Sequence, residues 1–144
     1  INALSKRIPK KYNEKIDFVV HDFTKRFPFQ SETFDGVIFT GVMHLYPPAK
    51  MKKTLGEVNR VLKRKGRLII DCATESQRIS LEGKIVKFYE EYPWTNSEVT
   101  LLMKKAFSEY RLRFETSSYI DLPAGKKHPY FSKGSFVLAI GQKN

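Results

Sequence analysis

The sequence predicts an α/β fold: a Rossmann-like, doubly wound sheet, mostly parallel and closed by a C-terminal antiparallel strand pair. Three observations carry this. Short β-rich runs alternate with segments of helical period. The first three runs are almost continuously apolar, as strands covered on both faces are. The last two candidate strands follow each other with no helix between them, which implies an antiparallel hairpin.

Ile16-Asp17-Phe18-Val19-Val20 is the first strand candidate, running into His21-Asp22-Phe23. Phe34-Asp35-Gly36-Val37-Ile38-Phe39-Thr40 is the second and ends at Gly41. A helix follows, with Pro48 in its first turn, where a missing N–H costs nothing. Met51, Leu55, Val58 and Leu62 form its apolar stripe, and Lys65-Gly66 ends it. Gly66-Arg67-Leu68-Ile69-Ile70-Asp71-Cys72 is the third strand, made parallel to the second by the crossover helix. Two capping-box patterns then predict two helices. Thr74-Glu75-Ser76-Gln77 leads into Leu81, Ile85, Phe88, Tyr89 and Tyr92, and Thr95-Asn96-Ser97-Glu98 into Val99, Leu102, Met103, Ala106 and Phe107. Arg113–Ile120 and Ser135–Gly141 close the chain as strands, with Pro123, Gly125, Pro129 and Gly134 between them.

At 144 residues and 41% apolar content the chain has the size and core of one domain, and wholesale disorder is excluded. Its single cysteine, Cys72, has no internal disulfide partner, and the apolar runs are too short to span a bilayer. These features, with a polar, lysine-rich start, predict a soluble cytoplasmic protein with no membrane partner. A net charge of +11 attracts anions, nucleic acid included, although the basic residues are dispersed along the chain. His21, Cys72 and His128 do not have metal-ligand spacing, so no metal site is expected.

The order Asp22, Phe27-Pro28-Phe29, Phe34-Asp35-Gly36-Val37-Ile38-Phe39, Met43-His44-Leu45 and Glu57-Val58-Asn59-Arg60-Val61-Leu62-Lys63-Arg64-Lys65-Gly66-Arg67-Leu68 resembles the class I S-adenosylmethionine-dependent methyltransferases, and their type 11 group most. The likeness covers about residues 14–141, including Lys105-Ala106-Phe107-Ser108 at a helix end before the two terminal strands. It departs from the family in having Arg64-Lys65-Gly66 for Pro-Gly-Gly and one histidine, His44, for a pair. It also has no G-x-G loop and no acidic residue closing a second strand, the elements that hold the methionine end and the ribose in the family. The resemblance therefore implies a single truncated domain over residues 1–144, the C-terminal two-thirds of the fold. In the family's sheet the first two strands lie between Ile16–Val20 and Phe34–Thr40. About 60 residues, at roughly 30 per strand–helix unit, would fill that gap. Left unfilled, it exposes strand edges and invites a strand-exchanged dimer.

As to site residues, the resemblance implies S-adenosylmethionine as cofactor. Asp22 would accept from the adenine amino group, with Phe23 against the ring. The backbone at Thr40 and Gly41 would approach the methionine part, and His44 would line the cleft or serve as a candidate base. The plain alternatives are a loop-capping aspartate, a turn glycine and a structural histidine. Tyr46, Tyr89, Tyr92 and Trp94 are acceptor-pocket candidates, with a helix packing its aromatic stripe onto the core as the other reading. Tyr46-Pro47-Pro48 has the wrong order and place for the Asn/Asp-Pro-Pro-Tyr/Phe motif of amino-directed methyltransferases, which disfavours that subclass. The acceptor, a small molecule or an RNA, is left open. The competing function is a non-catalytic basic module binding RNA or another polyanion through Lys50–Lys53 and Lys63–Arg67.

Overall fold

A computed structural model describes residues 9, 15–86, 92–121 and 129–144. The chain order is β1 (Phe34–Phe39), a 3₁₀ turn (Met43–Leu45), α1 (Pro48–Val61), β2 (Leu62–Ser80), β3 (Ile85–Val86), α2 (Asn96–Ala106), β4 (Tyr110–Asp121) and β5 (Tyr130–Lys143). The strands form one sheet in the order β1-β2-β5-β4, with β3 also paired to β2. β1 and β2 are parallel, joined through α1 as the crossover. The β2–β5 and β4–β5 pairs are antiparallel, so the terminal hairpin stands as expected.

α1 starts where Pro48 lacks a donor it does not need, and it buries Met51, Thr54, Leu55, Val58 and Val61 along one stripe. Thr95 caps α2: its hydroxyl accepts from the Glu98 N–H while the Glu98 carboxylate accepts from the Thr95 N–H. Both helices pack on one face of the sheet. The core there comprises Leu68, Ile70 and Cys72 of β2, Val137 and Ala139 of β5, and Trp94, Val99, Met103 and Phe107. Burial, reinforced by Asp71, pushes the Cys72 thiol up to about 12, so it is an inert core group.

Two expected elements are not found. Residues 16–20 form no strand; Ile16, Phe18, Val19 and Val20 are 40%, 37%, 54% and 82% exposed. A strand needs a neighbour, and among the described residues β1 pairs only with β2, leaving its other edge open. The helix expected after Thr74 is likewise replaced by strand. β2 continues to Ser80 against β5, turns through Gly83 (φ 81°), and returns as β3. Leu81 and Ile85, assigned to a buried stripe, are 62% and 66% exposed. Backbone pairing along β5 outweighs the local capping signal. Phe88 and Tyr89 of that expected helix lie outside the described residues, as do Pro123, Gly125 and His128 of the expected loop. Gly134 lies within β5.

Candidate functional site

Ligands of open α/β sheets bind beyond the carboxyl ends of parallel strands. Here that place is where β1 and the adjoining part of β2 end, at Thr40-Gly41 and Asp71. Gly41 has φ 71°, a conformation natural to glycine, and a Cβ built on it would meet open space. Its N–H donates to Asp71 Oδ1 at 2.7 Å, so the two strand ends are tied together. Thr40 is exposed beside it.

The segment carrying Asp22 and Phe23 is brought to the same end. The Phe23 ring packs edge-on against Phe39 at 5.9 Å and Tyr46 at 5.1 Å, and its carbonyl accepts from Thr54 Oγ1 at 3.3 Å. A clamp on α1 holds the turn that follows. Glu57 Oε2 accepts from the Phe27 N–H at 2.8 Å, and Arg60 donates to the Phe27 and Phe29 carbonyls and back to Glu57. Asp22 itself accepts from Thr24 through hydroxyl (2.7 Å) and N–H (3.0 Å). Those bonds, the hydroxyl's first, hold its carboxyl below the usual range. One carboxylate oxygen thus caps the turn, and the other faces the exposed Lys25 at 3.8 Å.

His44 sits on the 3₁₀ turn. Its Nδ1 is buried and has no hydrogen-bond partner among the described residues, and its carbonyl accepts from the Tyr92 N–H. It lines a cavity of about 290 Å³ together with Gly41, Ser76, Tyr119, Asp121 and Phe136, among others. Tyr119 and Phe136 lie with ring centroids 4.8 Å apart and tilted by 36°, and Ser76 Oγ lies 3.1 Å from the Tyr119 hydroxyl. This cavity, rather than the expected aromatic cluster, opens beside Gly41. Trp94 is only 1% exposed and its Nε1 donates to the Met43 and Tyr46 carbonyls, which makes it a core residue. Tyr92 packs on Trp94 and Tyr46 on Phe23, so both serve as packing here; Tyr89 lies outside the described residues.

Sequence reasoning missed Asp71 and the β4–β5 wall. Asp71 had a readable signal, an acidic side chain at the end of an apolar parallel strand. Tyr119, Asp121, Ser132 and Phe136 had none, because only the hairpin register brings them to His44. Among the described residues no group of His, Cys, Asp and Glu could hold a metal ion, and no helix is long and apolar enough to cross a membrane.

Residues 1–70 match a family model described as a methyltransferase domain. No curated protein matches the chain. Among solved structures, a S-adenosylmethionine-dependent methyltransferase of Thermotoga maritima, described as a possible histamine N-methyltransferase, is 19% identical, with TM-score 0.57 over 93% of this chain and 68% of its own. A putative methyltransferase of Bacillus halodurans is 14% identical, with TM-score 0.58 over 90% and 78%. The 1,6-didemethyltoxoflavin-N1-methyltransferase of Burkholderia thailandensis, solved with that compound and S-adenosylhomocysteine, is 16% identical, with TM-score 0.55 over 99% of this chain and 56% of its own. At these identities the likeness is one of fold, and the chain spans only part of each relative's length. Over its first 70 residues the chain matches the methyltransferase-domain family model, and over nearly its whole length it shares the fold of these S-adenosylmethionine-dependent methyltransferase structures.

Proposed function

We propose that the carboxyl ends of β1 and β2 form half of an S-adenosylmethionine cleft, and that the cavity beside His44 receives the methyl acceptor. The observation that carries this is convergence. The Asp22-Phe23 segment, 18 residues upstream of Thr40-Gly41 in sequence, packs through Phe23 onto the last residue of β1. The open space beside Gly41 and the unpartnered His44 Nδ1 suit a bound polar group, so the residues present fit that half of the cofactor. The chain carries no G-x-G loop for the other half.

When bound, the cofactor supplies an electrophilic methyl on a sulfonium whose leaving group is neutral. The chain's task is then alignment, holding acceptor and methyl in line, more than proton transfer. Gly41 leaves room at the strand end, the Glu57–Arg60 clamp fixes the Phe27–Phe29 turn that follows Asp22, and Tyr119 and Phe136 line the cavity for an acceptor. The acceptor's identity is open; a small molecule fits a cavity of this size. A cytoplasmic setting is part of this reading, supported by a lone buried cysteine.

Calorimetric titration of S-adenosylhomocysteine into the chain tests it. Binding is expected, and Asp22→Ala should weaken it about tenfold, the scale of one lost hydrogen bond to a charged group. Asp22→Asn keeps the acceptor for Thr24 and separates turn collapse from lost recognition. Absence of binding by a folded chain, or binding indifferent to Asp22→Ala, overturns this site.

A further inference from the structure

The opposite end of the sheet carries a second built surface. Between the β1–β2 pairs Phe34–Leu62 and Gly36–Arg67, residues 63–66 bulge outward, with Lys65 at φ 60°. The bulge is pinned: Gln142 Nε2 donates to the Lys65 carbonyl at 3.1 Å, and Lys63 folds back onto the Asp35 carboxylate at 2.9 Å. Lys143 is anchored as well. Its Nζ donates to the carbonyls of Asn59 and Leu62, at the C-terminal end of α1. Arg67, Gln142 and Arg111 occupy one cross-strand row, with Gln142 in the middle. Neighbouring strands lie about 4.8 Å apart, so the two arginines flank a lane roughly 10 Å wide.

Lys65, Arg111, Gln142, Lys143 and Asn144 enclose a groove of about 580 Å³ with no Asp or Glu side chain in its lining. Glu32 and Glu109 belong to the adjacent hollow around Arg64, which is therefore left out of the lane. Among the described residues, no carboxylate ion-pairs with Lys65, Arg67 or Arg111. The fold also separates the two basic segments of the sequence. Lys50, Lys52 and Lys53 lie at the start of α1, while Lys63–Arg67 follow its end, about 20 Å away at 1.5 Å per residue.

We propose that this groove binds the phosphodiester backbone of a single-stranded nucleic acid. Its cations, Lys65, Arg67 and Arg111, are exposed and spread along a lane longer than one phosphate needs, and no carboxylate lines the groove, so a run of successive phosphates fits it. Two amide side chains and two guanidinium groups offer donors to phosphate oxygens along the lane. The lane lies at the opposite end of the β1–β2 paired segment from Gly41 and Asp71, so it holds a strand independently of the methyl-transfer reading.

The test is fluorescence anisotropy with an oligouridylate of about 20 nucleotides over a salt series. Three or four contacted phosphates give a log–log slope of about −2 to −3. Replacing Lys65, Arg67 and Arg111 together by Gln should cut low-salt affinity at least about tenfold and flatten the slope by about 2. Replacing Lys50, Lys52 and Lys53 by Gln removes the same charge and should leave affinity within about twofold. Unchanged thermal melting in both triple variants shows that each still folds. Equal losses in both would mean that net charge alone drives binding, and would overturn the proposal. So would no oligonucleotide binding at all, or triple-sensitive binding to phosphatidylserine vesicles in its place.

Discussion

On one face of the sheet, Leu68, Ile70, Val137 and Ala139 are at most 1% exposed beneath α1, α2 and Trp94. On the other face the same strands present Ile38, Ile69 and Ile140 in one cross-strand row, with Leu138 and Phe136 beside it. That row is not sealed: Ile38 is 73% and Phe136 37% exposed, and Ile69, Leu138 and Ile140 are half-buried. Both faces are apolar in sequence, which is why the β-runs read as continuous rather than alternating. The two faces therefore separate a residue's hydrophobicity from the stability it delivers. Only the covered side removes its area from water, at roughly 25 cal/mol per Å².

Breaking the covered face should have the largest effect. Trp94 fills the space under the 3₁₀ turn, makes two hydrogen bonds through Nε1, and its carbonyl accepts from the Glu75 N–H. Trp94→Ala should cost about 3–5 kcal/mol, as truncation of a large buried aromatic does. Urea unfolding followed by far-UV circular dichroism measures it. Trp94→Phe should lose less, since the ring volume mostly remains while the two backbone carbonyls lose their donor. A Trp94→Ala loss under 1 kcal/mol would mean that the covered face is not packed as described.

The next effect lies at the rim of that face, where the Glu57–Arg60 clamp joins α1 to the turn at Phe27–Phe29. The Arg60 guanidinium, with the Phe27 N–H adding to it, holds the Glu57 carboxyl below its ordinary value of 4.5. A carboxyl lowered in the folded state adds stability above its unfolded pKa and loses it as pH falls through the folded one. Glu57→Gln should therefore cost about 1–2 kcal/mol at pH 7, the worth of a hydrogen bond to a charged group. The difference from the unaltered chain should shrink steadily below about pH 4.5. Chemical denaturation at pH 7 and pH 3 checks the sign; a gap that widened in acid would refute it.

What could be read from the sequence divides along the same physical line. Where local signal and tertiary demand agree, as at Pro48 with its apolar stripe or at Thr95 with Glu98, the elements lie close to where they were expected. Thr74 to Gln77 carries a capping-box pattern of the same kind and is strand, because β5 offers it a hydrogen-bonding edge along its length. Its Thr74 hydroxyl bonds Asn96 and the Ser135 carbonyl, not a helix N-terminus. Ile16–Val20 fails for the opposite reason: the signal is good and no partner edge adjoins it among the described residues. The site follows suit. Asp22, Phe23, Gly41 and His44 could be named as candidates because short segments carry them, whereas Tyr119, Asp121, Ser132 and Phe136, which line the cavity beside His44, depend on register across three strands.

The smallest effect is the most informative about the bare face. Ile38 lies on β1, whose outer edge is open among the described residues, and it keeps 73% of its surface in water. Ile38→Thr retains β-branching and exchanges the ethyl arm for a hydroxyl that water can solvate. If the face is bare in solution, the change should shift stability by less than about 0.5 kcal/mol, the ordinary range for exposed positions. If another element of the assembled protein seals that row, the same substitution buries a hydroxyl and removes packed apolar area, and the loss should exceed about 1.5 kcal/mol. The measurement is the urea midpoint at two protein concentrations tenfold apart. A small shift that does not depend on concentration leaves the asymmetry of the two faces intact. A large shift that shrinks on dilution would place a second copy on the Ile38–Ile69–Ile140 row and make the two faces equivalent.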